Sequence, residues 1–261
     1  MALERELQVA RRAAIEAAEL AKQIRAGGIT AEAKLDESPV TIADRECERL
    51  LEKILLSEFP DDGLLGEEGA LRESRSGRRW IIDPIDGTRD FIRGNHHWAV
   101  LIGLEEGDNV LAGVCHMPGY GETYGAARGL GADCNGRRLQ GSKITSIREA
   151  VVCVNGFNSL DASPIAGGLL SWLAKFWAVR SWGGAPDAVA VAAGQAEVWI
   201  EAKAAPWDLA PMKVIAEEAG VRFLNFNGQS SIYGGDCVLC VPALEEEVFR
   251  FLNSHAPQAD I

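Results

Sequence analysis

The sequence lacks the features of several protein classes. Positive charge is scarce: across 261 residues, 26 Lys and Arg stand against 38 Asp and Glu, a net charge of -12. Basic residues form no block beyond pairs such as Arg78-Arg79 and Arg137-Arg138. A nucleic-acid surface needs clustered Lys and Arg, so no nucleic-acid partner is expected, and an anionic substrate must be drawn in by a local cationic or metal centre. Long apolar runs are missing too. The first 28 residues carry charges throughout, without the apolar core of a signal peptide, and no later stretch could span a bilayer. The expectation is a cytoplasmic protein without membrane contact. Cysteine is sparse and scattered (Cys47, Cys115, Cys134, Cys153, Cys237, Cys240), with a single C-x-x-C spacing at Cys237 and Cys240. Without a second such pair, and with apolar neighbours, these two read as buried thiols rather than a zinc or redox site. There is no internal repeat, low-complexity segment or linker.

What is present is an ordinary globular composition, 47% hydrophobic and 25% charged. The chain centres on WIIDPIDGTRDF, Trp80 to Phe91. Trp80, Ile81 and Ile82 have the β-branched character of a buried strand, and Pro84 has no N–H to continue a ladder, so the strand is expected to stop at Asp83. Asp86-Gly87-Thr88 reads as a tight turn opening a helix, capped by Asp86 or Thr88, with free N–H groups at its start. Two carboxylates, a hydroxyl and a helix start therefore converge. Hard divalent cations take carboxylate, phosphate and water oxygens, and helix starts favour phosphate; the bland alternative is a pair of ordinary turn dipeptides.

Apolar spacing predicts a packing helix from residue 2 to about 25, stopped by Gly27-Gly28, then a polar loop with Lys34 and Asp36. A second helix is expected from Asp44 to about Ser57, with Asp44 in its first turn, where an acid is electrostatically favoured. Gly63 to Gly66 reads as a short strand ending in Glu67-Glu68; consecutive residues point opposite ways, so one of the two faces any site. Leu71 to Arg79 reads as a flexible polar loop. Ala99 to Glu105, Val110 to His116 and Thr123 to Ala127 predict an antiparallel meander, and Asn135-Gly136 a hairpin turn. His96 and His97 would face apart in a strand, a poor arrangement for a metal pair.

From Ser142 onward strands and helices alternate: strands at Val151 to Val154, Ala178 to Ser181, Ala196 to Ile200, Val221 to Leu224 and Cys237 to Val241; helices at Pro164 to Phe176, Pro186 to Ala193, Leu209 to Ala219 and Ala243 to Leu252. This predicts a sheet covered by helices. The expected division is an N-terminal α+β half, 1–141, and a C-terminal α/β half, 142–261. Asp208 begins a helix, as cap or metal ligand, and Glu201 ends a strand. Trp182-Gly183-Gly184 precedes a helix and is expected to line a substrate pocket, since glycine lets a ligand approach the backbone. Trp172, Phe176 and Trp177 read as either interface or core.

DPIDGT preceded by WII and followed by DF, together with SPVTIAD (Ser38 to Asp44), GEEG (Gly66 to Gly69) and PWDLAP (Pro206 to Pro211), resembles the inositol monophosphatase superfamily. Those enzymes are Mg²⁺-dependent, lithium-sensitive phosphomonoesterases, and they include bacterial histidinol-phosphate phosphatases. The four motifs lie in the family's order over roughly residues 34 to 220. The resemblance implies an α/β fold, a layered α/β/α/β/α sandwich of the inositol monophosphatase / fructose-1,6-bisphosphatase type. It implies two or three Mg²⁺ ions held by Glu67, Asp83, Asp86, Asp208 and the Ile85 carbonyl, with Thr88, polarised by Asp44, activating a metal-bound water. Phosphate would rest on Gly87 and Thr88. Glu201 matches the acceptor of a substrate hydroxyl, and the histidinol-phosphate branch often has an acid where this chain has Gly184. The implied substrate is a small phosphorylated polyol or amino alcohol, inositol 1-phosphate or alternatively L-histidinol phosphate, and the implied assembly a homodimer. A catalytically silent binding or regulatory relative is the rival reading; the complete acidic set argues against it.

Overall fold

Alanine lines the buried side of the first helix. In the computed structural model, which describes residues 3–28, 31–33 and 39–255, helix α1 (Glu4–Ala26) buries Ala10, Ala13, Ala14, Ala17, Ala18 and Ala21. Small side chains let it lie close to helix α2 (Ile42–Glu58) and to the sheet beneath. Between the helices β1 (Ala31–Ala33) and β2 (Pro39–Thr41) pair antiparallel. Lys34, Asp36 and Ser38, named above in the loop and the first motif, lie outside the described residues. Helix α2 opens with a capping box: Thr41 Oγ1 accepts from the Ala43 N–H at 3.1 Å, and Asp44 Oδ2 accepts from the Thr41 N–H at 2.8 Å.

The first sheet contains β3 (Gly63–Gly66), β4 (Leu71–Arg72), β5 (Arg78–Asp86), β6 (Ala99–Glu106), β7 (Asn109–Met117), β8 (Glu122–Ala127), β9 (Gly131–Cys134) and β10 (Arg137–Arg138). Its order is β10-β9-β8-β7-β6-β5-β3-β4, antiparallel except for the β3–β5 pair. The expected meander is there, and its Asn135-Gly136 turn has both residues at positive φ (50° and 81°). The expected loop from Leu71 to Arg79 is not: Leu71–Arg72 is an edge strand, and Arg78 already belongs to β5, held by Asp62 and Glu6.

The second sheet, ordered β12-β11-β13-β15-β14, consists of β11 (Val151–Asn155), β12 (Ala178–Arg180), β13 (Val198–Glu201), β14 (Arg222–Leu224) and β15 (Cys237–Cys240). The helices that follow β5 are α3 (Thr88–Ile92), α4 (Phe157–Asp161), α5 (Ala166–Leu173), α6 (Gly184–Ala192), α7 (Pro206–Glu218) and α8 (Glu245–Asn253). The helix expected over Pro164 to Phe176 is thus shorter, and α4 precedes it. Trp172 and Phe176 are core, Trp172 stacking on Phe251 and meeting Phe176 edge-on, whereas Trp177 is exposed. All six cysteines are buried free thiols.

Three apolar clusters define the layers. One joins α1 and α2 to the first sheet, a second joins both sheets through α6 and α7, and a third joins the second sheet to α5 and α8. The result is an α/β/α/β/α sandwich. Helix α7 reaches the first sheet because glycine makes room for it: a Cβ on Gly103 would stand 2.6 Å from the Ala210 Cβ, and one on Gly113 2.7 Å from the Pro211 Cα. That close seating carries the start of α7 to the end of β5.

Candidate metal centre and substrate cavity

The strand through the central motif does not stop at Asp83. It continues through Pro84 to Asp86, with an irregularity in its pairing to β6: Asp83 faces Leu101 and Asp86 faces Ala99, three steps against two. Pro84, having no N–H, sits in this bulge, where a missing donor costs no ladder bond. The bulge resets the alternation. Upstream, Ile81 faces the layer of α6 and α7 while Trp80 and Ile82 face α1 and α2; downstream, Ile85 faces α1 and α2. Uninterrupted alternation would turn Asp83 and Asp86 to opposite faces; one extra residue turns both inward.

Asp208 meets them from α7. It is the third helical residue rather than the cap, and its Oδ2 accepts from the Ala205 N–H at 2.7 Å. One carboxylate oxygen from each of Asp83, Asp86 and Asp208 lies within 4.8 Å of the others. Glu67 follows β3, where its N–H donates to the Ile82 carbonyl at 3.2 Å. It shares with these aspartates, Ile85, Gly87 and Thr88 the wall of a cavity of about 620 Å³. Glu48 fixes the turn carrying Glu67, accepting from the Glu68 and Ala70 N–H groups at 2.7 and 2.8 Å.

The electrostatics follow from this crowding. Burial pushes the Asp83 carboxyl well up, and the charges of Glu67, Asp86 and Asp208 push it further. Asp208 is likewise raised well above the usual range, first by burial and then by Asp86. Burial lifts Asp86 to about 6, against the pull of the Ala185 N–H, which donates to its Oδ2 at 3.2 Å. A cation would relieve this repulsion. The donors are all oxygen, which suits a hard divalent ion rather than zinc or copper.

Thr88 opens α3, a helix of five residues whose cap is Gly87 (φ 81°), not Asp86 or Thr88 as the sequence suggested. Its hydroxyl lies 3.1 Å from the Ile85 carbonyl and 3.4 Å from Asp44 Oδ1, the latter at the outer limit of a hydrogen bond. Asp44 itself stands behind Thr88, outside the cavity wall, with Oδ2 taken by the Thr41 hydroxyl at 2.6 Å. Burial raises its carboxyl above the ordinary value.

A second cavity of about 640 Å³ adjoins the first, and Asp86, Arg89, Asn155, Gly184, Lys203 and Asp208 line both. Glu201 lines only this second one. Burial raises its carboxyl to about 7, while the Asn155 amide, donating at 2.8 Å, pulls the other way. Gly183 and Gly184 both border the metal-side cavity. Their turn is held by the fully buried Asp187, which accepts from the Trp182 and Gly183 N–H groups at 2.9 and 3.3 Å.

A family model described as the inositol monophosphatase family matches residues 2–256. The chain belongs to that family. The histidinol-phosphatase of Chlorobaculum parvum is 40% identical to this family member over 203 residues, 78% of each chain. The inositol-1-monophosphatase of Bacillus subtilis is 34% identical over 194 residues, 73% of each. Among solved structures, an IMPase from Thermotoga maritima matches with a TM-score of 0.83 at 28% identity, covering 97% of this chain and 96% of that one. This is a family of metal-dependent phosphomonoester hydrolases, and the protein is one of its enzymes. No helix among the described residues is long and apolar enough to cross a membrane.

Glu48, Arg89, Asn155, Asp187 and Lys203 escaped the sequence reading. Arg89 follows Thr88 directly and could have been found by proximity alone. Asn155 is legible only through strand register, which pairs it with Glu201. His97 does border the metal-side cavity, its Nδ1 lying 2.6 Å from the Tyr120 hydroxyl.

Proposed function

We propose that this enzyme hydrolyses a small phosphate monoester with Mg²⁺, which Glu67, Asp83, Asp86, Asp208 and the Ile85 carbonyl hold as two or three ions. The observation that carries the reading is the meeting of three carboxylates from β5 and α7 within 4.8 Å, in a cavity that Glu67 also lines. Bound Mg²⁺ supplies charge neutralisation on the phosphate and a lowered pKa for coordinated water.

The chain's own groups do the rest. The Gly87 and Thr88 N–H groups support phosphate oxygens, and the Thr88 hydroxyl, backed by Asp44, accepts a hydrogen bond from the attacking water and aims it in line. Water oxygen bonds to phosphorus as the ester P–O bond breaks; the alcohol and inorganic phosphate leave, one of the water's protons passing to the alkoxide and the other remaining on the phosphate. Gly183 and Gly184 border the leaving group and Glu201 accepts a hydrogen bond from its hydroxyl. Inositol 1-phosphate is the first substrate of this reading, and the likeness to a histidinol-phosphatase supports L-histidinol phosphate as the second. A homodimer belongs to the same reading and rests on resemblance; light scattering tests it. Phosphate release from a substrate panel, with and without Mg²⁺ and Li⁺, tests the activity. No Mg²⁺-dependent release from any phosphate ester would overturn it.

A further inference from the structure

Trp182, which the sequence groups with Gly183 and Gly184 beside the substrate, borders neither of the two cavities described above. It walls a third. This pocket, of about 290 Å³, lies between α6 and the turn joining β7 to β8, and it meets the metal-side cavity only at His97. Tyr120 and Tyr124 share the wall with Trp182, and buried Met117, Val189 and Ala190 add an apolar lining. Tyr120 and Trp182 are exposed at its edge.

Both phenol hydroxyls are already engaged: Tyr124 donates to Glu122 Oε2 at 2.7 Å, and the Tyr120 hydroxyl lies 2.6 Å from His97 Nδ1. What the two tyrosines have left for a ligand is their rings. Glu122 is the one carboxylate among the described residues that line the pocket, and no lysine or arginine joins it there. Among the described residues it has no ion pair. Burial first, and then the charge of Glu122, raises both tyrosine hydroxyls above their ordinary value, so that charge is felt at both.

This combination selects a ligand by charge. An anion would meet Glu122, and a neutral apolar molecule would strip water from a half-buried carboxylate without replacing it. A divalent metal ion would find one carboxylate where it needs several oxygens. An organic ammonium ion suits both parts of the pocket, its charge matched by Glu122 and its carbon substituents lying against aromatic rings, whose quadrupole attracts cations.

We propose that Tyr120, Glu122, Tyr124 and Trp182 form a binding site for a small organic ammonium ion, separate from the metal centre. The proposal does not depend on the phosphatase reading, and its test reads binding rather than turnover.

Choline is titrated calorimetrically against the whole chain in saturating Mg²⁺, which competes for the acidic cluster and keeps the probe out of it. The comparison ligand is 3,3-dimethylbutan-1-ol, which has the shape of choline without its charge. Choline is expected to bind saturably and about tenfold or more tightly than the alcohol, the size of a desolvated cation's gain from aromatic faces. Glu122→Gln keeps the shape of the side chain and should weaken choline about tenfold. Trp182→Leu alters an exposed wall and should weaken it as well. No saturable choline binding, equal affinity for choline and the alcohol, or an unchanged choline affinity in both variants overturns the site. A second copy of the chain seated on this face would give no choline heat in the wild type and a smaller mass by light scattering in Trp182→Leu, and that result overturns it too.

Discussion

Asn155 and Glu201 stand opposite one another at the ends of two parallel strands, and the Asn155 amide donates to the Glu201 carboxylate at 2.8 Å. The sequence marks Glu201 as a strand-end acid but passes over Asn155. Together they make the polar end of the second cavity, with Gly156 behind them: a Cβ there would come within 2.5 Å of Glu201 Oε1. Asn155→Leu removes the donor at similar volume and leaves a buried carboxyl free to rotate. The expected result is a KM for inositol 1-phosphate raised about three- to tenfold, the worth of one buried hydrogen bond, with kcat changed less. Steady-state kinetics measure this, and a fall confined to kcat would count against the orienting role.

Asp83 is the most deeply enclosed of the clustered acids, and its charge is opposed by three others. Asp83→Asn keeps the shape and removes a ligand charge. Mg²⁺-dependent phosphate release should fall by more than the ~10–100-fold typical of losing a group that merely supports a ligand. The metal-free protein should unfold at a temperature no lower than the wild type, because a repulsive charge has gone. A variant retaining most of its activity would end the metal-ligand assignment.

Thr88→Ala separates water activation from metal binding. The hydroxyl touches the Ile85 carbonyl and reaches toward Asp44, but no cluster carboxylate depends on it for a hydrogen bond. Turnover should drop about a hundredfold or more, in the range of general acid–base contributions, while Mg²⁺ affinity measured by calorimetry stays within about twofold. Loss of metal binding would contradict the assignment.

The buried acids also set how stability varies with pH. Burial raises Asp86 and Asp187 to about 6 and Glu201 to about 7, all above their values in the unfolded chain. Between roughly pH 4 and 7 the folded state therefore holds more protons than the unfolded one, and stability falls as pH rises through that window, the whole penalty being present above it. In EDTA the unfolding midpoint should drop between about pH 4 and 7, at about 2–4 °C per kcal/mol for a chain of this size. Saturating Mg²⁺ should restore most of the loss at the upper end, because it binds only the ionised, folded cluster. A midpoint that rises with pH in EDTA would sink this account.

The sequence by itself determined most of the elements and the family. Apolar spacing marked α1 and α2, alternation marked the meander, Asn135-Gly136 marked its hairpin, and four motifs carried the family and its acids. These features are local: each depends on side-chain type and spacing along one segment. Tertiary structure decided what no single segment contains. The bulge at Pro84 turned two aspartates to one face, where the apolar run alone had suggested a strand end, because β6 pairs on past the proline. Gly103 and Gly113 let α7 sit close enough to bring Asp208 to them. Asn155 met Glu201 through strand register, and Arg89 and Lys203 came to border the same two cavities though more than a hundred residues separate them. Such meetings depend on how backbones approach and which way alternation is reset, and those are properties of packed layers rather than of any stretch of chain.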